Sequence, residues 1–536
     1  MRRVLIFVLL LSLQAVAWAK IEEPVSNIGE EELFKPSTKR VSILNITDIL
    51  NLAKQGNVDA QLSASFCYYY GISTEKNYKA AYKWAAKAAK QRHGQAQYVV
   101  GSYLINGVGV KKNTKKAVKY FKLAHQHGWA YAQYMLGRIY ISGNECVEKN
   151  EELGLGYIAQ AAERGVSDAQ YTLGKYYSAG TYVEQSYELA KQYYAKAAEY
   201  GHTNAQNNLG LLYYKGRLGE KDYDTAVLWF RRAAKRGNKY AQANMGDCYR
   251  LGHGVKQDYE QAAMWYELSA EQGWKNSCNQ LGLLYYKGLG VEKDYKKALD
   301  LYFKAVAQDH IGAMVNIGVC YEKGRGVEKS YEEAMQWYKA AAEKGNRVAL
   351  YNIGNFYYNG RGVEKDYVVA ANYFRQSAEK GYARAQNMLG VCYEKGRGAE
   401  KSYAEAAKWY ILAAEQGYAL SQCNLALLYD KGRGVEPNLE KAVELYKLSA
   451  EQGNRLANYR LGVLYAIGKG LSQDYTKAVH HYTIAAEKGH REAAFYLGEC
   501  YQNGNGCSVD IEKAKYWYTK AADKGSKYAQ EALKDL

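Results

Sequence analysis

The sequence predicts an all-α solenoid of about 13 helix-turn-helix units, and three regular features support this prediction. The segment YEKGRGVEKSYEEAMQWYKAAAEKGN, residues 321–346, returns 72 residues later as YEKGRGAEKSYAEAAKWYILAAEQGY. Within each unit, apolar and small residues recur at the three- to four-residue spacing of a helix. Gly residues stand between the helical stretches. The 536 residues therefore form one array, not the three or four separate domains that their number alone would suggest.

One Gly, which usually follows an apolar residue, marks the same place in each unit and serves here as the anchor of the repeat. Consecutive anchors are 36 residues apart, except for one interval of 37 residues between Gly137 and Gly174. Ser65 and Ala426 replace the Gly in two units. The anchors of repeats 1 to 13 are Ser65, Gly101, Gly137, Gly174, Gly210, Gly246, Gly282, Gly318, Gly354, Gly390, Ala426, Gly462 and Gly498.

Each repeat is predicted to hold two helices. Around Gly318 the first helix carries a stripe of core residues, and the loop Lys-Gly-Arg-Gly-Val at 323–327 ends it. The second helix, residues 331–344, ends before Gly345, where a left-handed residue is expected. Helix-capping residue types stand 12 residues after the anchor in most units: Asn77, Ser186, Asp222, Asp258, Asp294, Ser330, Asp366, Ser402, Asn438, Asp474 and Asp510. Ser330 with Glu333, and Ser402 with Glu405, also predict capping boxes.

The two ends of the chain differ from the array. Residues 1–19 have a basic start, a short apolar run and a small-residue cleavage motif, which predict a signal peptide cleaved near Ala19. We expect a linker over residues 20–44 and the solenoid over residues 45–536. A lone helix at 45–55 and a polar helix at 527–536 are predicted to cap the solenoid. No second long apolar run follows, so we expect no transmembrane segment and an exported product.

The formal charge of +17 permits acidic partners or anionic surfaces. Acidic residues interleave with Lys and Arg along the whole chain, so a solvated mixed surface is the favoured interpretation. Nucleic acid is not an expected partner, because the Tyr residues follow core spacing and the protein is expected to be exported.

The repeat pattern resembles that of the Sel1-like repeat family. In repeat 9 the pattern is carried by Ala349, Ile353, Gly354, Tyr357, Gly360, Gly362, Val363, Asp366, Tyr367, Ala370, Tyr373, Phe374, Ser377, Ala378 and Gly381. The resemblance covers about residues 45 to 536, with departures at Ala426, at Gly154-Leu155-Gly156 and at the extra residue before Asn150. It implies a right-handed superhelix of helix pairs whose concave face binds proteins.

Nine Cys residues in an exported chain raise the question of a disulfide framework. A cysteine-rich branch of the Sel1-like family pairs Cys within each repeat, but Cys67, Cys248, Cys320, Cys392 and Cys500 have no regular partner in their own units. Cys248 with Cys278, or Cys392 with Cys423, would be too far apart along adjacent helices. We therefore expect buried thiols, with Cys500 and Cys507 as the one pair worth testing.

No catalytic set, metal site or cofactor site is predicted. The Gly-Arg-Gly-Val-Glu-Lys loop follows a helix and lacks the Gly-Lys-Ser/Thr of a phosphate loop. Ser73-x-x-Lys76 matches one motif of penicillin-recognising serine enzymes, but no Lys-Thr-Gly accompanies it. His125/His127 and His480/His481 lack metal-ligand spacing.

Two polar columns remain as candidate binding residues. Amides stand two residues before the anchor and are candidates for pairing with a peptide backbone: Asn208, Asn244, Gln280, Asn316, Asn352 and Asn424, with Met388 interrupting. Satisfying a neighbouring carbonyl is an equally weighted alternative for this column. Basic residues recur in the loops and are interpreted as a solvated rim: Arg217, Arg325, Arg361, Arg397, Arg433 and Lys469.

The sequence and the resemblance together predict an exported, non-catalytic scaffold for protein partners, plausible as a bacterial envelope or secreted host-interaction factor. Two alternatives stay open. One is an exported enzyme or β-lactam-binding protein of the cysteine-rich branch. The other is an endoplasmic-reticulum quality-control adaptor, in which Asn45-Ile46-Thr47 would be a glycosylation sequon.

Overall fold

The computed structural model describes residues 46–144 and 146–536, and the regular structure in these ranges is helical apart from one isolated bridge, Asn144 to Val147. The expected signal peptide 1–19, the whole expected linker 20–44 and Asn45, the first residue of the predicted cap, lie outside the described residues. By contacts, the chain divides into two compact units, one ending at Lys293 and one running from Asp294 to Leu536. Among the described helices none combines the length and the apolar character that a membrane span needs.

Most helices are 13 residues long and alternate between the first and the second helix of a repeat. The helices of the N-terminal unit are α1 Ile46–Lys54, α2 Val58–Tyr70, α3 Tyr78–Lys90, α4 Gly94–Asn106, α5 Thr114–Gln126, α6 Ala130–Ser142, α7 Glu151–Glu163, α8 Ser167–Ala179, α9 Tyr187–Glu199, α10 Thr203–Tyr214, α11 Tyr223–Lys235, α12 Lys239–Leu251, α13 Tyr259–Glu271 and α14 Lys275–Lys287.

The C-terminal unit continues the same alternation. Its helices are α15 Tyr295–Val306, α16 Ile311–Lys323, α17 Tyr331–Glu343, α18 Arg347–Asn359, α19 Tyr367–Glu379, α20 Ala383–Lys395, α21 Tyr403–Glu415, α22 Ala419–Lys431, α23 Leu439–Glu451, α24 Arg455–Ile467, α25 Tyr475–Glu487, α26 Arg491–Asn503, α27 Ile511–Ala522 and α28 Lys527–Ala532. The predicted all-α repeat architecture is confirmed.

The two helices of one repeat are antiparallel and approach closely at small residues. A Cβ added to Gly318 would lie 2.5 Å from the ring of Tyr338 on the second helix, so this anchor has no room for a side chain. In repeat 3 the second helix also carries a Gly, Gly154, where it crosses the first helix. A Cβ on Gly154 would lie 2.6 Å from Ile141, so this position has no room for a side chain. This contact explains one departure from the repeat pattern.

The predicted N-cap residues perform their expected role. Each of the eleven side chains predicted 12 residues after the anchor accepts a hydrogen bond from a backbone N–H in the first turn of the second helix, as Ser330 does from Glu333 at 3.1 Å. The capping-box prediction is wrong in its reciprocal half. The backbone N–H groups of Ser330 and Ser402 donate to the carbonyls of Tyr321 and Tyr393, both at 3.0 Å, so they are not available to Glu333 and Glu405.

A left-handed residue follows the second helices, as the Gly pattern predicts. Gly345, for example, has φ of 80°. Arg92 and Asp309, which replace this Gly in two repeats, adopt the same region with φ of 59° despite their side chains.

Candidate partner-binding face

The six predicted amides lie at partly exposed positions of the first helices. Position −2 denotes the residue two before the anchor, and the other positions are counted in the same way. At position −2 Asn208, Asn244, Gln280, Asn316, Asn352 and Asn424 are half-buried, whereas their anchors and the residues between are buried. First helices of consecutive repeats contact each other, α8 with α10 and α24 with α26. We call the surface formed by positions −2 and +4 the first-helix face.

Several of these amides are occupied by hydrogen bonds within the chain. The Nδ2 of Asn244 donates to Oδ1 of Asn207 at 2.9 Å, and Nδ2 of Asn424 donates to Oδ1 of Asn387 at 3.2 Å. In both pairs the acceptor stands at position −3 of the preceding repeat. Asn208 donates to the hydroxyl of Tyr194 at 3.3 Å, and Asn316 also has an interaction partner. These amides serve the packing of the array.

Gln280 and Asn352 differ, because neither makes a hydrogen bond within the part of the chain that the structure describes. The residues at position −3 of the preceding repeats are Ala243 and Val315, which have no polar side-chain atom to accept the bond. The residue 37 positions earlier therefore correlates with whether an amide at position −2 is occupied or open.

Buried tyrosines of the second helices bring their hydroxyls to position +4 of this face. The hydroxyl of Tyr338 donates to Oε2 of Glu322 at 2.8 Å, and that of Tyr410 donates to Oε2 of Glu394 at 2.7 Å. Burial first, and then the nearby Glu394 carboxylate, raises the pKa of Tyr410, so the hydroxyl keeps its proton. These bonds fix the acidic side chains on the face. Sequence reasoning missed them, although the Glu and the Tyr are 16 residues apart in both pairs.

The basic rim packs on the preceding repeat. The Arg397 guanidinium donates to the hydroxyl of Tyr358 at 2.7 Å and lies over the ring of Tyr367 at 5.3 Å from its centroid. Arg361 pairs with Glu322 at 3.0 Å. Other rim cations also contact the preceding repeat: Arg217 over Tyr187, Arg325 over Tyr295, Arg433 over Tyr403, and Lys469 near Asp430 at 3.8 Å. The rim thus links successive repeats while parts of its side chains stay exposed.

Arg460 occupies position −2 in repeat 12, and sequence reasoning missed it. Its Nε is buried and has no hydrogen-bond partner. The fully buried hydroxyl of Tyr446, in repeat 11, also has none. Each of these two atoms has a bonded counterpart elsewhere on the face. Aligning the residues at position −2 over all 13 anchors would have identified Arg460 as the guanidinium in a column of amides.

The structure places no disulfide in the described residues. All nine Cys residues are free thiols, and burial raises the pKa of Cys320 to about 11. The Sγ of Cys507 lies 3.5 Å from the carbonyl oxygen of Cys500.

No group of three or more His, Cys, Asp or Glu side chains in the described part of the chain could hold a metal ion. A cleft of about 490 Å³ between α5 and α7 is lined by His125, Asn150, Glu152, Leu153, Gly156, Tyr157 and Gln160.

Comparison with known proteins yields one family. The Sel1 repeat profile matches residues 58–93, 94–128, 130–166, 167–202, 203–238, 239–274, 275–310, 311–346, 347–382, 383–418, 419–454, 455–490 and 491–526. A comparison with curated proteins returned no match.

Two solved structures show the same kind of repeat. One is c5321, a protective antigen present in uropathogenic Escherichia coli strains that displays an SLR fold. It is 35% identical over 78% of this chain and 89% of that chain, with a TM-score of 0.56. The other is a Sel1 repeat protein from Oxalobacter formigenes, 29% identical over 58% of this chain and 89% of that chain, with a TM-score of 0.43. With thirteen consecutive matches, this chain belongs to the Sel1 repeat family.

Proposed function

We propose that the protein is an exported, non-catalytic scaffold that holds an extended segment of a partner protein on its first-helix face. Sel1 repeats mediate protein interactions. The observation that carries the proposal is the presence of open amides, Gln280 and Asn352, at a repeated position where other amides are occupied by the chain itself. A half-buried amide without a partner gains from a ligand that supplies a backbone N–H or carbonyl.

The spacing of the repeats suits an extended segment. Packed helices are about 8–10 Å apart, and an extended chain advances about 3.3 Å per residue. About three residues of the partner would therefore pass each repeat. Within the C-terminal unit, the fixed carboxylates at position +4, such as Glu322 and Glu394, and the open amide Asn352 would then meet the partner at regular steps.

Export is supported by the basic and apolar character of residues 1–19. It is also supported by the similarity to c5321, which is described as a protective antigen of uropathogenic Escherichia coli strains. An envelope or secreted host-interaction role follows from this proposal. The test is the intact mass and N-terminal sequence of the protein from its native compartment. We expect the mature chain to begin near Lys20, and a mature chain that retains residues 1–19 would contradict export.

Site-specific photo-crosslinking tests the binding face. A benzoyl-phenylalanine at Asn352 in the full chain should give a crosslinked adduct with a partner in the native compartment. The matched control is the same residue at Asn372, an exposed amide on the second helix of the same repeat. Adducts from both positions, or from Asn372 alone, would argue against the first-helix face. Asn352→Ala should weaken binding of the crosslinked partner about two- to tenfold, while Asn424→Ala should mainly lower stability, because Asn424 is bonded within the chain.

A further inference from the structure

Arg460 stands apart from the other residues at position −2 because it brings a positive charge to the first-helix face. Its side chain makes no hydrogen bond and no ion pair within the described residues, and its Nε is buried. A guanidinium has five N–H donors, and leaving them without acceptors in a partly buried place is unfavourable. An acceptor from outside the chain would satisfy them.

The position of Arg460 is open because of the residue that it faces. In the preceding repeat position −3 is Cys423, where the corresponding pair has Asn387 facing Asn424. Burial raises the pKa of Cys423 to about 12, and the nearby Arg460 only partly offsets this effect. Cys423 is therefore a neutral thiol and a poor acceptor. Because Cys423 accepts hydrogen bonds poorly, the Arg460 guanidinium is available to an acceptor from outside the chain.

Two carboxylates around this part of the face are already paired with other cations. Asp430, which lies near the Tyr446 hydroxyl, also lies 3.8 Å from Nζ of Lys469. Glu492 forms an ion pair with Arg491 and lies 3.4 Å from His490. Arg455 and Arg491 are close enough, together with Arg460, to lower the pKa of His490. Positive charge therefore exceeds negative charge around Arg460.

Aromatic rings border the same place. The Arg460 guanidinium lies 5.8 Å from the ring centroid of Tyr459, which stacks on Tyr496 at 6.3 Å. Tyr496 is 38% exposed and occupies position −2 of the next repeat. A guanidinium beside a ring still presents its N–H edge, which matches a carboxylate in a two-point contact.

We propose that the first-helix face of repeats 11 to 13 binds a carboxylate of the partner's extended segment, with Arg460 as the residue that receives it. This inference rests on the scaffold function proposed above and adds the chemistry of the partner. The carboxylate belongs to an Asp or Glu side chain or to the C-terminus of the partner. The exposed ring of Tyr496 provides an apolar contact for a neighbouring side chain.

Peptide selection on the full mature chain tests the inference. Two random 12-residue libraries are used, one with internal peptides and one with free C-termini. Selected peptides should share an acidic residue at one position, or a requirement for the free C-terminus. Calorimetry with a selected peptide then compares the native chain with Arg460→Gln, which should lower the affinity about ten- to a hundredfold. In the native chain, replacing the peptide's Glu by Gln, or its C-terminus by an amide, should lower the affinity by the same factor. In the Arg460→Gln variant, the same changes to the peptide should cause no further loss of affinity.

Two further variants keep the test decisive. Lys447→Gln removes one exposed cation from the second helix of repeat 11 and should leave the affinity unchanged. Cys423→Asn leaves the guanidinium in place and offers it an internal acceptor, so it should also weaken peptide binding. Peptides that depend on Asn352 but not on Arg460 would overturn the inference and leave the proposed function intact. Failure to select any peptide would contradict both, and selected peptides without acidic preference would contradict the inference alone.

Discussion

Two neighbouring contacts in the C-terminal unit differ in one pair of side chains. Between repeats 10 and 11, Asn424 donates to Asn387, which also accepts a bond from Ser421 at 2.9 Å. Between repeats 11 and 12, Arg460 faces Cys423 and its Nε has no partner. The two contacts have the same spacing along the chain. Asn424 comes 37 residues after Asn387, and Arg460 comes 37 residues after Cys423.

The comparison shows how one repeated position can serve two purposes. Where the preceding repeat supplies an amide acceptor, the polar side chain at position −2 links the repeats. Where the preceding repeat supplies Ala, Val or Cys, the same position is left open toward the outside. A solenoid can in this way confine its binding residues to a few repeats without any change in fold.

The largest expected effect compares the tyrosine hydroxyls of repeats 10 and 11. Tyr410→Phe removes a hydrogen bond to the Glu394 carboxylate and should lower the local unfolding free energy by about 2 kcal/mol. Tyr446→Phe removes a buried hydroxyl that has no partner, so it should not lower this free energy and should raise it by up to about 1 kcal/mol, because the cost of burying an unpaired hydroxyl is relieved. Amide hydrogen exchange of α21 and α23 measures both. Equal losses in the two variants would show that Tyr446 has a bond like that of Tyr410.

Acidification should weaken the first-helix cap of repeat 13 but not that of repeat 12. The first helix of repeat 12 is capped by Asn454, whereas that of repeat 13 is capped by Nδ1 of His490, which accepts from Ala493 N–H at 3.3 Å. Burial, with help from Arg455, Arg460 and Arg491 and against Glu492, lowers the pKa of His490. Burial also lowers the pKa of His481 to about 4. Because the folded state disfavours the protonated rings, their contribution to stability is complete above pH 6.5 and is lost as the pH falls below it.

The measurement is the urea midpoint of the C-terminal repeats between pH 7.5 and pH 4. For His481 the loss should extend down to about pH 4, where both states become protonated. His490→Asn provides an N-cap that does not titrate, so its midpoint should fall less on acidification than that of the native chain. An identical pH dependence in the native chain and in His490→Asn would contradict the assignment.

Giving Arg460 an acceptor within the chain, as Asn424 already has, should have a smaller effect. Cys423→Asn gives Arg460 the acceptor that Asn387 gives Asn424, and it should raise the local unfolding free energy by about 1 kcal/mol. The converse change, Asn387→Cys, should lower it by a similar amount, since Ser421 and Asn424 lose their acceptor. Hydrogen exchange of α22 and α24 measures the two changes. A destabilised Cys423→Asn variant would mean that the side chain at 423 has no room for an amide.

The sequence alone was sufficient for the fold, because each helix is determined by local features. The cap at Ser330, the left-handed Gly345 and the small anchor Gly318 follow from residue type and spacing. The candidate binding face was predictable only as a column. Whether Asn352 or Asn424 is open depends on a residue 37 positions earlier, and that relation requires the register between neighbouring repeats. The capping boxes failed for a similar reason, since the Ser330 N–H is already used by Tyr321 across the loop.

The smallest expected effect concerns the rim between repeats 10 and 11. The Arg433 guanidinium lies 5.5 Å from the centroid of the Tyr403 ring in the preceding repeat. Arg433 is exposed, so Arg433→Gln should lower the local unfolding free energy by only about 0.5 kcal/mol. Arg397→Gln should cost more, because Arg397 also donates to the Tyr358 hydroxyl. If Arg433→Gln instead proved as costly as Tyr410→Phe, the rim would rank with the buried tyrosines in linking the array.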